Sequence, residues 1–171
     1  MLLERMIRAA KLDVALYEEV ETDKTALGQA MLVVVLHGVA AGIGSFDELG
    51  TKGLLLGTLG QLFSWFVWAL VTFLVGAKLL PERQTEADLG QLLRTIGFAA
   101  SPGLLLALGI IPLIGAIISF VVQIWMLVAF VIAVRQALDY TSTVRTVVVC
   151  LIGWILMVVV TALLLFLVGK A

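Results

Sequence analysis

The sequence predicts an all-α integral membrane protein: a bundle of five transmembrane helices preceded by an N-terminal amphipathic interfacial helix. Three observations lead there. Of 171 residues, 62% are hydrophobic and only 13% are charged, against roughly 25% charged in soluble domains. Apolar windows of bilayer length recur along the chain, and Lys and Arg gather on alternate connections. A soluble domain of this size buries only about 70% of the surface its unfolded chain exposes, so the apolar surplus has to face lipid.

A hydrocarbon core of roughly 30 Å is crossed by about twenty apolar residues. The first window covers 26–44, interrupted by Gln29 and His37, and the second covers 54–77. A polar stretch follows, with Lys78, Glu82, Arg83, Glu86, Asp88 and Arg94. Residues 96–134 carry no charge and as one helix would measure nearly twice the bilayer thickness. Ile111-Pro112-Leu113-Ile114-Gly115 lies near the middle, and a proline followed by a glycine favours a break. The stretch therefore reads as a hairpin with spans at 96–111 and 113–135. The fifth span covers 147–168, so 25–171 forms the membrane domain.

Five spans place Arg5, Arg8, Lys11, Lys24, Lys78, Arg83, Arg94, Arg135 and Arg145 on one side and Lys52 and Lys170 on the other. Cytoplasmic loops carry the excess of Lys and Arg, so the N-terminus is expected in the cytoplasm and the C-terminus outside.

Charges continue through Lys24 and a full-length apolar run follows, so the first 24 residues do not read as a cleavable signal. At 100° per residue Leu2, Leu3, Met6, Ile7, Ala10, Val14, Tyr17 and Val20 share one face. Glu4, Arg5, Arg8, Lys11, Glu18 and Glu19 share the other, with Asp13 the misfit. Residues 1–24 read either as a cytoplasmic amphipathic helix, with Arg5, Arg8 and Lys11 at lipid headgroups, or as a helix packed under the bundle. Thr85-Glu86-Ala87-Asp88 resembles a capping box with Asp in place of Glu, ahead of Leu89, Leu92 and Leu93.

Polar groups at membrane depth are costly and usually functional. Here they are His37, Gln61, Ser64 and Gln123; no Asp or Glu falls inside a span, which argues against a carboxylate-based proton pump. His37, Gln61 and Gln123 form a candidate intramembrane polar cluster. The imidazole, the one side chain titrating near neutrality, serves either as a relay or ligand or as a neutral group bonded across helices to Gln61, Gln123 or a carbonyl. Ser101 and Pro102 form a candidate hinge: Pro102 cannot bond the carbonyl four residues back, and the Ser101 hydroxyl can re-bond it. Cys150 has no second thiol and reads as a small hydrophobe. No zinc cluster or nucleophile motif is present, so no catalytic residue, metal or cofactor is assigned. The net charge of −1 offers nothing to nucleic acid.

Small residues one turn apart recur at Gly38/Gly42, Gly53/Gly57, Ala99/Gly103, Gly115/Ser119 and Ala129/Ala133. Such faces allow close helix approach and read as intrachain packing before dimer contacts. Trp65, Trp68, Trp125 and Trp154 form no interfacial belt and read as bundle or lipid contacts rather than a ligand cage.

Taken together, Arg94-Thr95-Ile96-Gly97-Phe98-Ala99-Ala100-Ser101-Pro102, the Ile111–Gly115 segment, Ile124-Trp125 and Arg135-Gln136-Ala137-Leu138 resemble the Yip1-domain family across roughly 25–168. The resemblance implies a compact bundle of about five spans with a cytoplasmic N-terminus. Eukaryotic members are linked to Rab GTPases and vesicle traffic through a longer cytosolic N-terminal region; short members are typical of bacteria and archaea, which implies a prokaryotic cytoplasmic membrane. The first reading of function is a non-enzymatic scaffold or adaptor of Yip1-like type, supported by the absence of buried charge, with the N-terminal helix and the 78–95 loop as surfaces for another membrane protein or a second copy. The alternative is a small oligomeric transporter or channel with a polar path near His37, Gln61 and Gln123. An intramembrane enzyme has no residue constellation behind it.

Overall fold

The structure, a computed structural model, describes residues 1–111 and 113–168, without the side chains at 46–49, 52–53, 160–161 and 163–168. Lys52, Gly53, Pro112 and Lys170, which the sequence analysis uses, thus lie outside what is described. The described residues form helices and connections with no strand.

Two short helices come first, α1 (Leu2–Ala10) and α2 (Val14–Thr22), where a single helix is expected over 1–24. The break is local chemistry. Leu12 takes φ 63°, and the amides of Leu12 and Asp13 bond the carbonyls of Ala9 and Arg8, a Schellman closure. Asp13, the misfit of the helical wheel, is the N-cap of α2 and accepts from the Ala15 amide at 3.0 Å.

Five apolar helices follow. α3 (Ala26–Gly44) leads into α4 (Phe46–Thr72), which is broken at Gly50 (φ 59°) and extended by a π-helical stretch, Phe73–Leu79. α5 (Leu89–Ala99) continues as a 3₁₀ helix, Ser101–Ile110; α6 (Gly115–Ala137) and α7 (Thr143–Val168) complete the bundle. Ala26–Gly44, Leu54–Leu79, Leu89–Ile110 and Gly115–Ala137 are each long and apolar enough to cross a membrane, and α7 is the fifth apolar helix. Leu55, Leu56, Leu59 and Phe63 on α4 and Ile117 and Phe120 on α6 stand exposed, which suits lipid as the surrounding solvent.

The third span starts earlier than its charge-free window because Asp88 and Gln91 make a complete capping box. The box expected at Thr85 does not form: the Thr85 hydroxyl donates to the Leu138 carbonyl at 2.9 Å instead. Ten 3₁₀ residues rise about 2.0 Å each, so the composite span reaches about 36 Å with fewer residues than an α-helix would need. Past its end the chain reverses with Leu113 at φ 70°, and the Gly115 amide closes the turn on the Ile111 carbonyl at 2.9 Å.

α3 is the centre of the bundle. A Cβ on Gly38 would lie 2.9 Å from the Thr58 Cα of α4, and one on Gly97 would lie 2.7 Å from the Ala30 Cβ. Lipid tails supply no hydrophobic drive between helices, so these approaches hold α4 and α5 against α3. Gly57 faces open space instead. Gly38→Leu should therefore lower stability by about 1–3 kcal/mol through overpacking. Gly57→Ala should raise it by roughly 0.5–1 kcal/mol through helix propensity. Thermal unfolding in detergent separates the two.

Candidate functional site

α3, α4, the α5/3₁₀ span, α6 and α7 line a partly open cavity of about 930 Å³. His37, Gln61 and Gln123 come from three different helices and all line it. His37 is only 5% exposed and its Nδ1 is buried without a partner. No hydrogen bond joins it to Gln61 or Gln123, and its ring packs on Gly103, whose Cβ would fall 2.8 Å from Nε2. Trp65, Trp68 and Trp154 share the lining, so three of the four tryptophans face this space; Trp68 meets Phe130 edge-to-face at 5.5 Å. Among the described residues no Asp, Glu, Lys or Arg lines the cavity. Such a wall accommodates hydrocarbon while offering hydrogen bonds at a few points.

Next to the cavity, Ser101 Oγ donates to the Phe98 carbonyl at 2.6 Å, the carbonyl four residues before Pro102. The hydroxyl replaces the amide that proline lacks. Among the described residues no group of three His, Cys, Asp or Glu is placed to hold a metal.

At one end of the bundle the charges converge. Arg5 donates to Glu19 at 2.9 Å, Asp23 at 2.8 Å and Gln29 at 3.2 Å; Arg8 donates to Asp13 at 2.7 Å and Glu19 at 2.6 Å. Two of the three cations expected at lipid headgroups thus bind carboxylates of this chain. Lys11 is exposed beside Leu3 and Ile7. The α1–α2 pair packs against the bundle through Met6, Ala9, Leu16, Tyr17 and Val20.

Arg94 fastens that packing. It counts as a loop charge in the sequence, yet it is 6% exposed and donates to the carbonyls of Val20, at 2.9 Å, and Glu21, at the C-terminus of α2. Gln91 and Gln136 add bonds to Glu21 and Glu18, and the Trp125 indole donates to the Ala10 carbonyl of α1 at 2.8 Å. The other connections are tied alike. The Tyr140 hydroxyl reaches the carbonyls of Gly76 and Leu80, and Glu82 accepts from the Thr141 amide and hydroxyl. In the sequence Arg94 stands out only as the first residue of the segment that carries the family resemblance; nothing there points to its contact with α2.

A family model of the Yip1 domain matches residues 15–164. The chain belongs to the Yip1 domain family. No curated protein and no solved structure matches it. The Yip1 domain here takes in α2 from its second residue and the five apolar helices, and leaves α1 outside the match.

Two carboxyls of this domain's charged end titrate unusually. Burial pushes Glu21 up to about 7, with repulsion from Asp139, Glu18 and Asp88 added and attraction from Arg94 opposing. Bonds from Thr25 and Arg5 hold Asp23 down at about 2. The signs differ. Glu21 keeps its proton in the folded chain where the unfolded chain has released it, so its contribution is present below about 4.5 and is lost as pH rises through about 7. Asp23 contributes above the normal carboxylate range, and that is lost as pH falls toward 2. The wild-type chain should melt lower at pH 8 than at pH 5 by a margin that Glu21→Gln removes, read by differential scanning fluorimetry in detergent.

Arg94→Met leaves buried carbonyls of α2 without their donor, at about 1–3 kcal/mol each. It should release α2 while the five apolar helices stay assembled. Limited trypsinolysis should then cut at Lys11 and Lys24 at least several-fold faster than in the wild-type chain.

Proposed function

We propose that this Yip1-domain protein is a non-enzymatic membrane scaffold whose charged end is its partner surface and faces the cytoplasm. The observation that carries the reading is that every described connection at that end is held by side-chain bonds to its neighbours: α2 by Arg94, Gln91 and Gln136, the 80–88 loop by Thr85 and Glu82, the 138–142 loop by Tyr140 and Thr141. Fixed surfaces bind at lower entropic cost. Exposed Glu18, Lys24, Arg83, Glu86, Asp88 and Arg145 dress this frame with both signs of charge. The bias of Lys and Arg toward this end supports a cytoplasmic orientation. The partner is another membrane protein or a second copy of the chain.

A photo-crosslinking amino acid at Glu18 or Glu86 should yield discrete protein adducts in native membranes, while one at lipid-facing Leu59 should yield lipid adducts alone. The transport reading, favoured by the shared lining of His37, Gln61 and Gln123, makes the opposite forecast. It requires no adduct at the charged end other than to a second copy of the chain, and solute flux in proteoliposomes that a His37→Ala/Gln123→Leu double variant abolishes.

A further inference from the structure

The cavity holds three polar side chains at one level. His37 lies seven residues before the end of α3, Gln61 seven after the start of the Leu54–Leu79 span, and Gln123 eight after the start of α6. At 1.5 Å per residue each sits about 10–12 Å in from the bundle face opposite the charged end. That depth is inside the hydrocarbon layer. None of the three is used by the chain itself: Nδ1 of His37 is buried and unbonded, and neither carboxamide bonds another group among the described residues. Gly103, packed on the imidazole, holds the ring where it is.

The rest of the lining is apolar and aromatic, with Trp68, Phe130 and Trp154 on three helices, and among the described residues it carries no charged side chain. A volume of about 930 Å³ falls in the range of small-molecule sites. Water alone suits it poorly, since ordered water needs two to four polar partners and, apart from the indole N–H groups of Trp68 and Trp154, this wall offers them at one level only. An ionised headgroup suits it no better, because a charge at that depth without a counter-ion is strongly disfavoured. A neutral head matching donors and acceptors, on a hydrocarbon chain that covers the aromatics, meets both conditions.

We propose that this cavity binds a neutral, hydroxyl-bearing single-chain lipid from the bilayer, its hydroxyl head hydrogen-bonded among His37, Gln61 and Gln123 and its chain lying along Trp68, Phe130 and Trp154. The site is separate from the charged end, so it stands or falls independently of the scaffold reading.

The test uses the full chain in phospholipid nanodiscs with two diazirine probes of the same acyl chain, a monoacylglycerol and a phosphatidylglycerol. Irradiation and peptide mapping should place monoacylglycerol adducts on α4 and α6 cavity residues, well above the phosphatidylglycerol background. Gln61→Leu/Gln123→Leu should cut that labelling about tenfold, the loss of two hydrogen bonds, and should fold normally because neither amide supports the bundle. Leu151→Trp, at an exposed lining position, should fill the mouth and cut labelling without lowering the melting temperature. Equal labelling by the two probes, no labelling of cavity residues, or labelling unchanged in both variants would overturn the proposal.

Discussion

A buried guanidinium set on the end of a helix organises one whole face of this protein. α2 ends with carbonyls that have no intrahelical partner, and Arg94 rises from α5 to bond two of them. A cation at a helix C-terminus also meets the negative end of the dipole, so the contact gains from direction as well as from hydrogen bonding. Once α2 is placed, the Schellman turn at Leu12 fixes where α1 goes. α1 then lies where its last carbonyl meets Trp125 and where Arg5 and Arg8 meet the acids of α2. Burial of Glu21 at the same joint makes that arrangement answer to pH.

Within the apolar layer a different rule decides. With lipid on the outside, burying another leucine brings helices no closer together, and contact has to come from backbones that can approach. Gly38, Gly97 and Gly103 mark where α3 is met by α4, by α5 and by the 3₁₀ segment. Where the aromatic side chains of α4, α6 and α7 intervene, the helices stand apart and the cavity remains. One helix thus supplies the tight packing on one side and a wall of the open space on the other.

The apolar helices were readable in the sequence because lipid imposes a length and a composition that no short-range choice overrides. α3 matches its window at both ends, whereas α7 begins four residues before its own. What escaped was decided by single contacts. Arg94 sits at the edge of a charge-rich stretch, and no pattern separates a solvated arginine from one facing a helix end. The break at Leu12 depends on a positive φ that leucine rarely adopts. Thr85 had the look of a cap, yet Asp88 and Gln91 were the pair that could bond reciprocally. The polar trio was visible as residues; that they face a common space rather than one another depends on Gly103 and three tryptophans.

The 3₁₀ segment gives span three a property its neighbours lack. Over ten residues, converting from 3₁₀ to α geometry shortens a helix by about 5 Å, close to the difference in hydrocarbon thickness between thin and thick biological membranes. A conventional span meets a thinner bilayer by tilting, which disturbs every helix packed on it. Here a change of length would run through the 3₁₀ segment instead, and because Gly103 of that segment packs on His37 of α3, it would be felt at the cavity wall.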